Sequence, residues 1–305
     1  MRVPFEPSTR GRAVNLVLLG LGLTSLAGCM EFLPACADNT MSNKSEAPAT
    51  QLSGDRVLKD VEYGPGAADR LDVYRPADAS EAPVAVLVHG GAWQKGDKAE
   101  PAFISRKAKH LVGHGFVVVS VNYQLLPPDP LRQAKDVARA LAYVQEHAQG
   151  WGGDAQRTVL LGHSSGAHLV ALLAADPSLA SEQGAKPWLG TVALDSAALN
   201  VERVMNRRHF PFYDRVFSDD PAQWRAASPW HRLRAAPAPM LLVCSSQRLA
   251  SCGQARAFAE KIDELGGRAR VSEVDLSHRE LNSELGAQGS YTETVDAFLR
   301  TLELL

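Results

Sequence analysis

Two kinds of apolar run alternate along most of this chain, and the alternation limits the folds open to it. Short valine- and leucine-rich runs at 85–88, 116–121, 158–161, 191–194 and 241–243 read as strands. Longer runs at 137–146, 169–175 and 255–265 read as helices between them. Strands with no polar alternation are buried on both faces, as happens in a mostly parallel sheet with helices on both faces. The expected fold class is therefore α/β, and the roughly 250 residues from 52 to 305 suit one large domain.

At one strand-to-helix junction stands Gly162-His163-Ser164-Ser165-Gly166. A serine on such a sharp turn keeps its Oγ exposed, while flanking glycines let the strand and helix backbones approach without a Cβ collision. Ser164 is the candidate nucleophile. Upstream, the buried strand 84–88 runs directly into His89-Gly90-Gly91-Ala92-Trp93. Acyl transfer generates an oxyanion that preorganised N–H groups stabilise, and a Gly-Gly turn presents backbone rather than side chain to it.

These motifs resemble the α/β-hydrolase superfamily, in particular the HGG-type esterases that include hormone-sensitive-lipase-like carboxylesterases and arylformamidase-like enzymes. Supporting segments are Leu71-Asp72-Val73-Tyr74-Arg75-Pro76, Val121-Asn122-Tyr123-Gln124-Leu125 and Gly152-Gly153-Asp154, and the likeness runs from about Asp55 to the C-terminus. It implies an α/β-hydrolase fold, a serine mechanism that needs no cofactor, and oxyanion donors at the N–H groups of Gly91, Ala92 and Ser165. Ala92 stands where the family often has a third glycine, but only its backbone is used.

A general base must reach Ser164, and the chain holds nine histidines. His278 follows the strand-like segment 269–276 and precedes a terminal helix from about Tyr291, which puts it at the carboxyl edge of the sheet. The order nucleophile, acid, histidine matches the family, and the segment from Ser277 to Asn282 resembles its histidine loop. His163 and His168 suit local packing or bonding, and His110, His114, His147, His209 and His231 carry no contextual signal.

The acid is less plain, because the family's commonest place for it, after strand 240–243, holds Cys244 to Cys252 with no carboxylate. Asp195, at the end of strand 190–194, is the leading candidate to hold the other ring nitrogen of His278. A helix or turn cap is its alternative role, and Asp275 and Glu280 are the rival acids.

Cellular address is read from the first residues. Arg2, Arg10 and Arg12 precede an apolar run over 13–26 that ends in Leu26-Ala27-Gly28-Cys29. That run is shorter than the ~20 residues of a membrane-spanning helix, so 1–28 reads as a cleaved signal peptide and 29–51 as a tether. Leu-Ala-Gly-Cys resembles a bacterial lipobox, which implies lipidation of Cys29, a membrane anchor and, with Met30 rather than aspartate next, outer-membrane sorting. Export implies an oxidising compartment, where Cys244 and Cys252 are expected to form a disulfide and Cys36 to stay unpaired. No Cys/His spacing suggests zinc, so no metal is expected. With 32 basic and 34 acidic residues there is no basic stripe for nucleic acid.

Between Asp195 and Met240 lie Phe210, Phe212, Tyr213, Phe217, Trp224 and Trp230, with Arg207, Arg208 and Arg215 among them. They read either as a lid with an apolar acyl pocket or as the core of a helical excursion, and Trp93 as a pocket wall or a wedge. The expected activity is a serine carboxylesterase for small-to-medium esters. An aryl-amide or formamide hydrolase is the alternative chemistry, and a non-catalytic lipoprotein scaffold the alternative outside enzymes.

Overall fold

The computed structural model describes residues 56–305. The expected signal peptide and tether, with Cys29 and Cys36, lie outside the described residues. Eight strands form one sheet in the order β1-β2-β4-β3-β5-β6-β7-β8. They are β1 (Val57–Glu62), β2 (Arg70–Tyr74), β3 (Ala82–Val88), β4 (Val117–Val121), β5 (Gly153–His163), β6 (Gly190–Leu194), β7 (Met240–Ser245) and β8 (Ala269–Val274). β3 to β8 are mutually parallel, while β2 runs antiparallel to both β1 and β4.

Helices α1 (Pro101–Gly113), α2 (Pro130–His147), α3 (Ser165–Ala175) and α4 (Ser178–Ser181) punctuate the first half. Four short helices follow β6: α5 (Val201–Met205), α6 (Phe212–Phe217), α7 (Pro221–Ala226) and α8 (Pro229–Arg232). The chain closes with α9 (Leu249–Glu264), α10 (His278–Ser283) and α11 (Ser290–Thr301). Among the described residues no helix is long and apolar enough to cross a membrane.

Every residue of β3, β4, β6 and β7 is buried, as unbroken apolar runs require. Alternate side chains of β3 feed two separate cores. Val84, Val86 and Val88 pack with α2, α3 and α9, while Ala85 and Leu87 pack with α1 and α11. Helix α2 shows why such a segment becomes helical. Pro130 opens it and Asp129 caps it, accepting the N–H groups of Leu131 and Arg132. Its buried stripe includes Ala134, Val137, Ala138, Leu141 and Val144, and each Val or Leu contributes about 1.5–3 kcal/mol of burial. Helix α3 is buried all round, the signature of a core helix.

The chain passes from β3 outward to β4 and then returns across β3 to β5. Loops leaving β3 and β5 therefore diverge and open a crevice at the carboxyl edge of the sheet. Register does the rest: Val88 pairs with Gly162, His163 with Leu194, and Leu194 with Val243. Residues immediately past β3, β5 and β6 are thereby brought side by side.

Candidate active site

Ser164 sits between β5 and α3 with φ at 57°, a left-handed conformation that a non-glycine residue adopts at a cost of ~1–3 kcal/mol. Close packing imposes it. A Cβ on Gly162 would lie 2.3 Å from the Gly166 carbonyl oxygen, and one on Gly166 would lie 2.2 Å from that of Val88. Only glycine fits at either position, so the turn is locked against β3. The Ser164 N–H is tied to the Leu194 carbonyl at 2.8 Å.

The turn after β3 is built in the same way. Gly91 has φ at 132°, and its carbonyl accepts the N–H groups of Gln94 and Lys95 at 3.1 Å each. Ala92 and Trp93 follow with φ at 54° and 60°. Among the described residues the N–H groups of Gly91, Ala92 and Ser165 find no acceptor. Ser165 is the first residue of α3, where the N–H has no partner within the helix. All three residues line one cavity of 1680 Å³ together with Ser164 and His278.

His278 opens α10, and a capping box fixes that start. Ser277 Oγ accepts the Glu280 N–H at 3.3 Å, and the Ser277 N–H donates to Glu280 Oε2 at 2.8 Å. The imidazole Nε2 lies 3.0 Å from Ser164 Oγ, and Nδ1 lies 2.6 Å from Asp195 Oδ2. His163 backs the arrangement, donating from Nε2 to the His278 carbonyl at 3.0 Å with the ring centroids 4.6 Å apart. Burial holds His163 well below the ordinary imidazole range, so it stays neutral beside a ring that must accept a proton.

Asp195 is not a helix cap. It also has a positive φ of 57°, and its side-chain bonds run to the end of β7, the loop after it, the first turn of α9 and His278. Oδ1 accepts the Ser245 N–H at 3.1 Å and the Ser251 hydroxyl at 2.5 Å, while Oδ2 takes His278 and the Arg248 guanidinium. Burial alone would raise this carboxyl. The His278 hydrogen bond, the Arg248 charge, Ser251 and Ser245 outweigh it and hold the group well below the usual carboxylate range. The rival acids are engaged elsewhere, Asp275 with Gln247 at 3.1 Å and Glu280 in the capping box.

Two residues at the site carried no sequence signal. Arg248 occupies the loop where the family's commonest acid would stand, and its Nη1 is 2.7 Å from His278 Nδ1 as well as bonded to Asp195. A guanidinium only donates, so with the Nδ1 proton directed at Asp195 the arginine serves the carboxylate. The expected disulfide of Cys244 with Cys252 is present and closes this loop, with Cα atoms 5.2 Å apart.

Lys107 of α1 is the other such residue. Its buried Nζ donates to the Phe103 carbonyl at 2.7 Å and to that of Asn282, tying α1 to α10. Among the described residues no carboxylate faces it, and burial pushes it down from 10.5 to about 7. Between those two pH values the unfolded chain binds a proton that the folded chain does not, so this group disfavours folding increasingly as pH falls from 10.5 to 7. The melting temperature of Lys107→Met relative to the parent should therefore climb steadily as pH is lowered across that window. A flat difference would show that Lys107 remains charged throughout.

The helical segment after β6 divides between the two expected roles. Phe210, Phe212 and Tyr213 line the cavity. Phe217 packs on Trp93 at 5.1 Å, Trp224 bonds the Ser218 carbonyl at 3.0 Å, and Trp230 lies under Lys261. Trp93 is a wedge as well as a wall. It is 3% exposed and donates to His168 Nδ1 at 3.2 Å, while His168 donates from Nε2 to the Ala227 carbonyl at 2.8 Å. Burial pushes His168 down to about 4, so it is a neutral structural link. His110 of α1 and His114 just past its end do meet Asp296 of α11, with candidate ligand atoms within 4.8 Å of one another. His110 Nε2 is already paired with Asp296 at 2.8 Å, and His114 Nδ1 with the His110 carbonyl at 2.9 Å.

Comparison with known proteins matches residues 71–206 to the BD-FAE family. The chain is 33% identical to esterase LipQ of Mycobacterium tuberculosis over 248 residues, which covers 75% of this chain and 58% of LipQ. It is 36% identical to the kynurenine formamidase of Danio rerio over 120 residues, 39% of each protein. The chain thus spans less than two thirds of the length of these curated relatives. A thermophilic esterase from Thermogutta terrifontis shares the fold, with a TM-score of 0.68 at 23% identity over 82% of this chain and 94% of that one. The segment matched to BD-FAE begins in β2 and ends just past α5, taking in both the His-Gly-Gly turn and the serine turn, and the chain has the α/β-hydrolase fold.

Proposed function

We propose that this protein is a serine carboxylesterase that hydrolyses small-to-medium carboxylic esters through an acyl-enzyme. The observation that carries the reading is the unbroken path from Ser164 Oγ through His278 to Asp195, set beside three N–H groups without acceptors. In this mechanism the Ser164 hydroxyl passes its proton to His278 Nε2 and attacks the ester carbonyl. Gly91, Ala92 and Ser165 receive the oxyanion, and Asp195 stabilises the imidazolium. His278 then protonates the departing alcohol, and water resolves the acyl-enzyme by the same steps in reverse order. No step calls for a metal or cofactor.

The aromatic lining from Phe210, Phe212 and Tyr213 offers an apolar face for a short acyl or aryl group. A panel of p-nitrophenyl esters should peak at short-to-medium acyl length. Turnover that rises steadily to the longest chain would overturn the substrate class. The likeness to kynurenine formamidase over 120 residues supports a second reading, hydrolysis of an aryl formamide by the same groups. Comparing an N-formyl arylamine with the matched ester separates the two. We also propose that the mature protein begins at a lipidated Cys29 and is held at a bacterial membrane, the outer one by the Met30 pattern. Metabolic labelling with an alkyne fatty acid, lost in Cys29→Ser, tests the anchor.

A further inference from the structure

The cavity lining carries positive charge that the composition does not lead one to expect. The chain as a whole has 32 basic and 34 acidic residues. Yet Lys95, Arg203, Arg207, Arg208 and Arg248 line the space that holds Ser164, against Asp97, Glu100 and Asp195. Two of those three acids are already engaged. Asp195 is bound to His278 and Arg248, and Asp97 accepts from Asn122 at 2.9 Å and from the Ala99 N–H at 2.7 Å.

The cations on the other hand are largely free. Among the described residues, Arg203, Arg207, Arg208 and Lys95 have no carboxylate within ion-pair distance; arginines elsewhere, such as Arg215 and Arg234, share that, but these do not line the cavity. The three free arginines come from one short stretch, α5 and the turn after it. The acid in that stretch, Glu202, does not neutralise them, because it is bound to Arg225 at 2.7 Å and His231 at 3.0 Å and does not line the cavity. A solvated basic face would account for exposed arginines. It does not account for their gathering on the lining of the cavity that holds the nucleophile while the neighbouring acid turns to α7 and α8.

We propose that the ester hydrolysed here carries an anionic group, a carboxylate in the simplest case, received by Arg203, Arg207 and Arg208 while its ester carbonyl lies at Ser164. The inference rests on the esterase reading above and narrows its substrate class. A guanidinium matches a carboxylate with two parallel N–H donors, and such charge-assisted bonds are about twice as strong as neutral ones. Phe210, in the same stretch and 71% exposed, supplies an apolar face for the body of that substrate. The anion is a spectator to the chemistry. Water adds across the acyl C–O bond, giving a carboxylic acid and an alcohol, and the anionic group leaves on the fragment that bore it.

The test uses two soluble esters of equal acyl length, p-nitrophenyl pentanoate and the mono-p-nitrophenyl ester of glutaric acid. In the parent protein at low ionic strength, kcat/KM for the glutarate should exceed that for the pentanoate by about tenfold or more. The advantage should shrink in about 0.5 M NaCl. The triple variant Arg203→Gln, Arg207→Gln, Arg208→Gln should lose most of the glutarate advantage and turn over the pentanoate within about twofold of the parent. Normal pentanoate turnover with no glutarate advantage, or an advantage that survives in the triple variant, overturns this inference alone. Loss of turnover on both esters in the parent, with no reaction of Ser164 toward a fluorophosphonate, overturns the esterase reading and this one with it. Arginine-dependent binding to phosphatidylglycerol vesicles without a glutarate preference would assign the basic wall to a lipid surface and overturn the inference as well.

Discussion

Ser164→Ala should lower ester turnover by roughly 10⁴- to 10⁶-fold and abolish labelling by a fluorophosphonate probe. The probe forms a P–O bond with the activated hydroxyl and releases fluoride, so peptide mapping of the labelled parent should identify the segment containing Ser164. Alanine keeps the backbone amides, the cavity and a Cβ at the same strained φ, and among the described residues no hydrogen bond beyond that to His278 depends on the Oγ. The fold should therefore stay intact, with a thermal midpoint close to that of the parent. What persists is the modest acceleration due to the oxyanion donors and substrate binding. A variant that keeps most of its esterase rate would show that another group attacks the ester.

Asp195→Asn is expected to cost about 10³- to 10⁴-fold in kcat, for a reason written in its neighbours. Position Oδ1 faces two donors, the Ser245 N–H and the Ser251 hydroxyl, so the amide oxygen must occupy it. The amide NH₂ then faces His278 Nδ1 and the Arg248 guanidinium. Confronted by donors only, Nδ1 must accept, which moves the imidazole proton to Nε2 and leaves that nitrogen unable to take one from Ser164. Loss of the carboxylate also strips the counter-charge from Arg248 beside a ring that must become cationic. Fluorophosphonate labelling should slow in parallel with ester turnover. A loss of less than about tenfold would transfer the acid role to Asp275 or Glu280, which the geometry assigns to other partners.

How much of this arrangement could be read from the chain depends on how local each signal is. The parallel core was legible because β3, β4, β6 and β7 are unbroken apolar runs, and the two glycine-bearing turns because each adjoins such a run. β1 was not, since its edge position leaves Lys59 and Asp60 exposed and the pattern polar. Ser164 and His278 each stand in a motif of contiguous residues. Asp195 was approached by elimination, because its partners come from β7, the loop after it, α9 and α10, which only folding brings together. Arg248 and Lys107 were invisible for the same reason: their partners lie 53 and 175 residues away. The aromatic segment after β6 resisted a single assignment because composition cannot say which ring faces Trp93 and which faces the cavity.

Ser164 occupies a backbone conformation that favours glycine, and among the described residues its hydroxyl bonds only the base His278. Glycine there would release part of that tension, so a sturdier version of this architecture is one that has lost its nucleophile. Random substitution filtered only for durability would thus tend to silence the chemistry first. Selection for turnover is what keeps this side chain in a conformation that the polypeptide on its own terms would abandon.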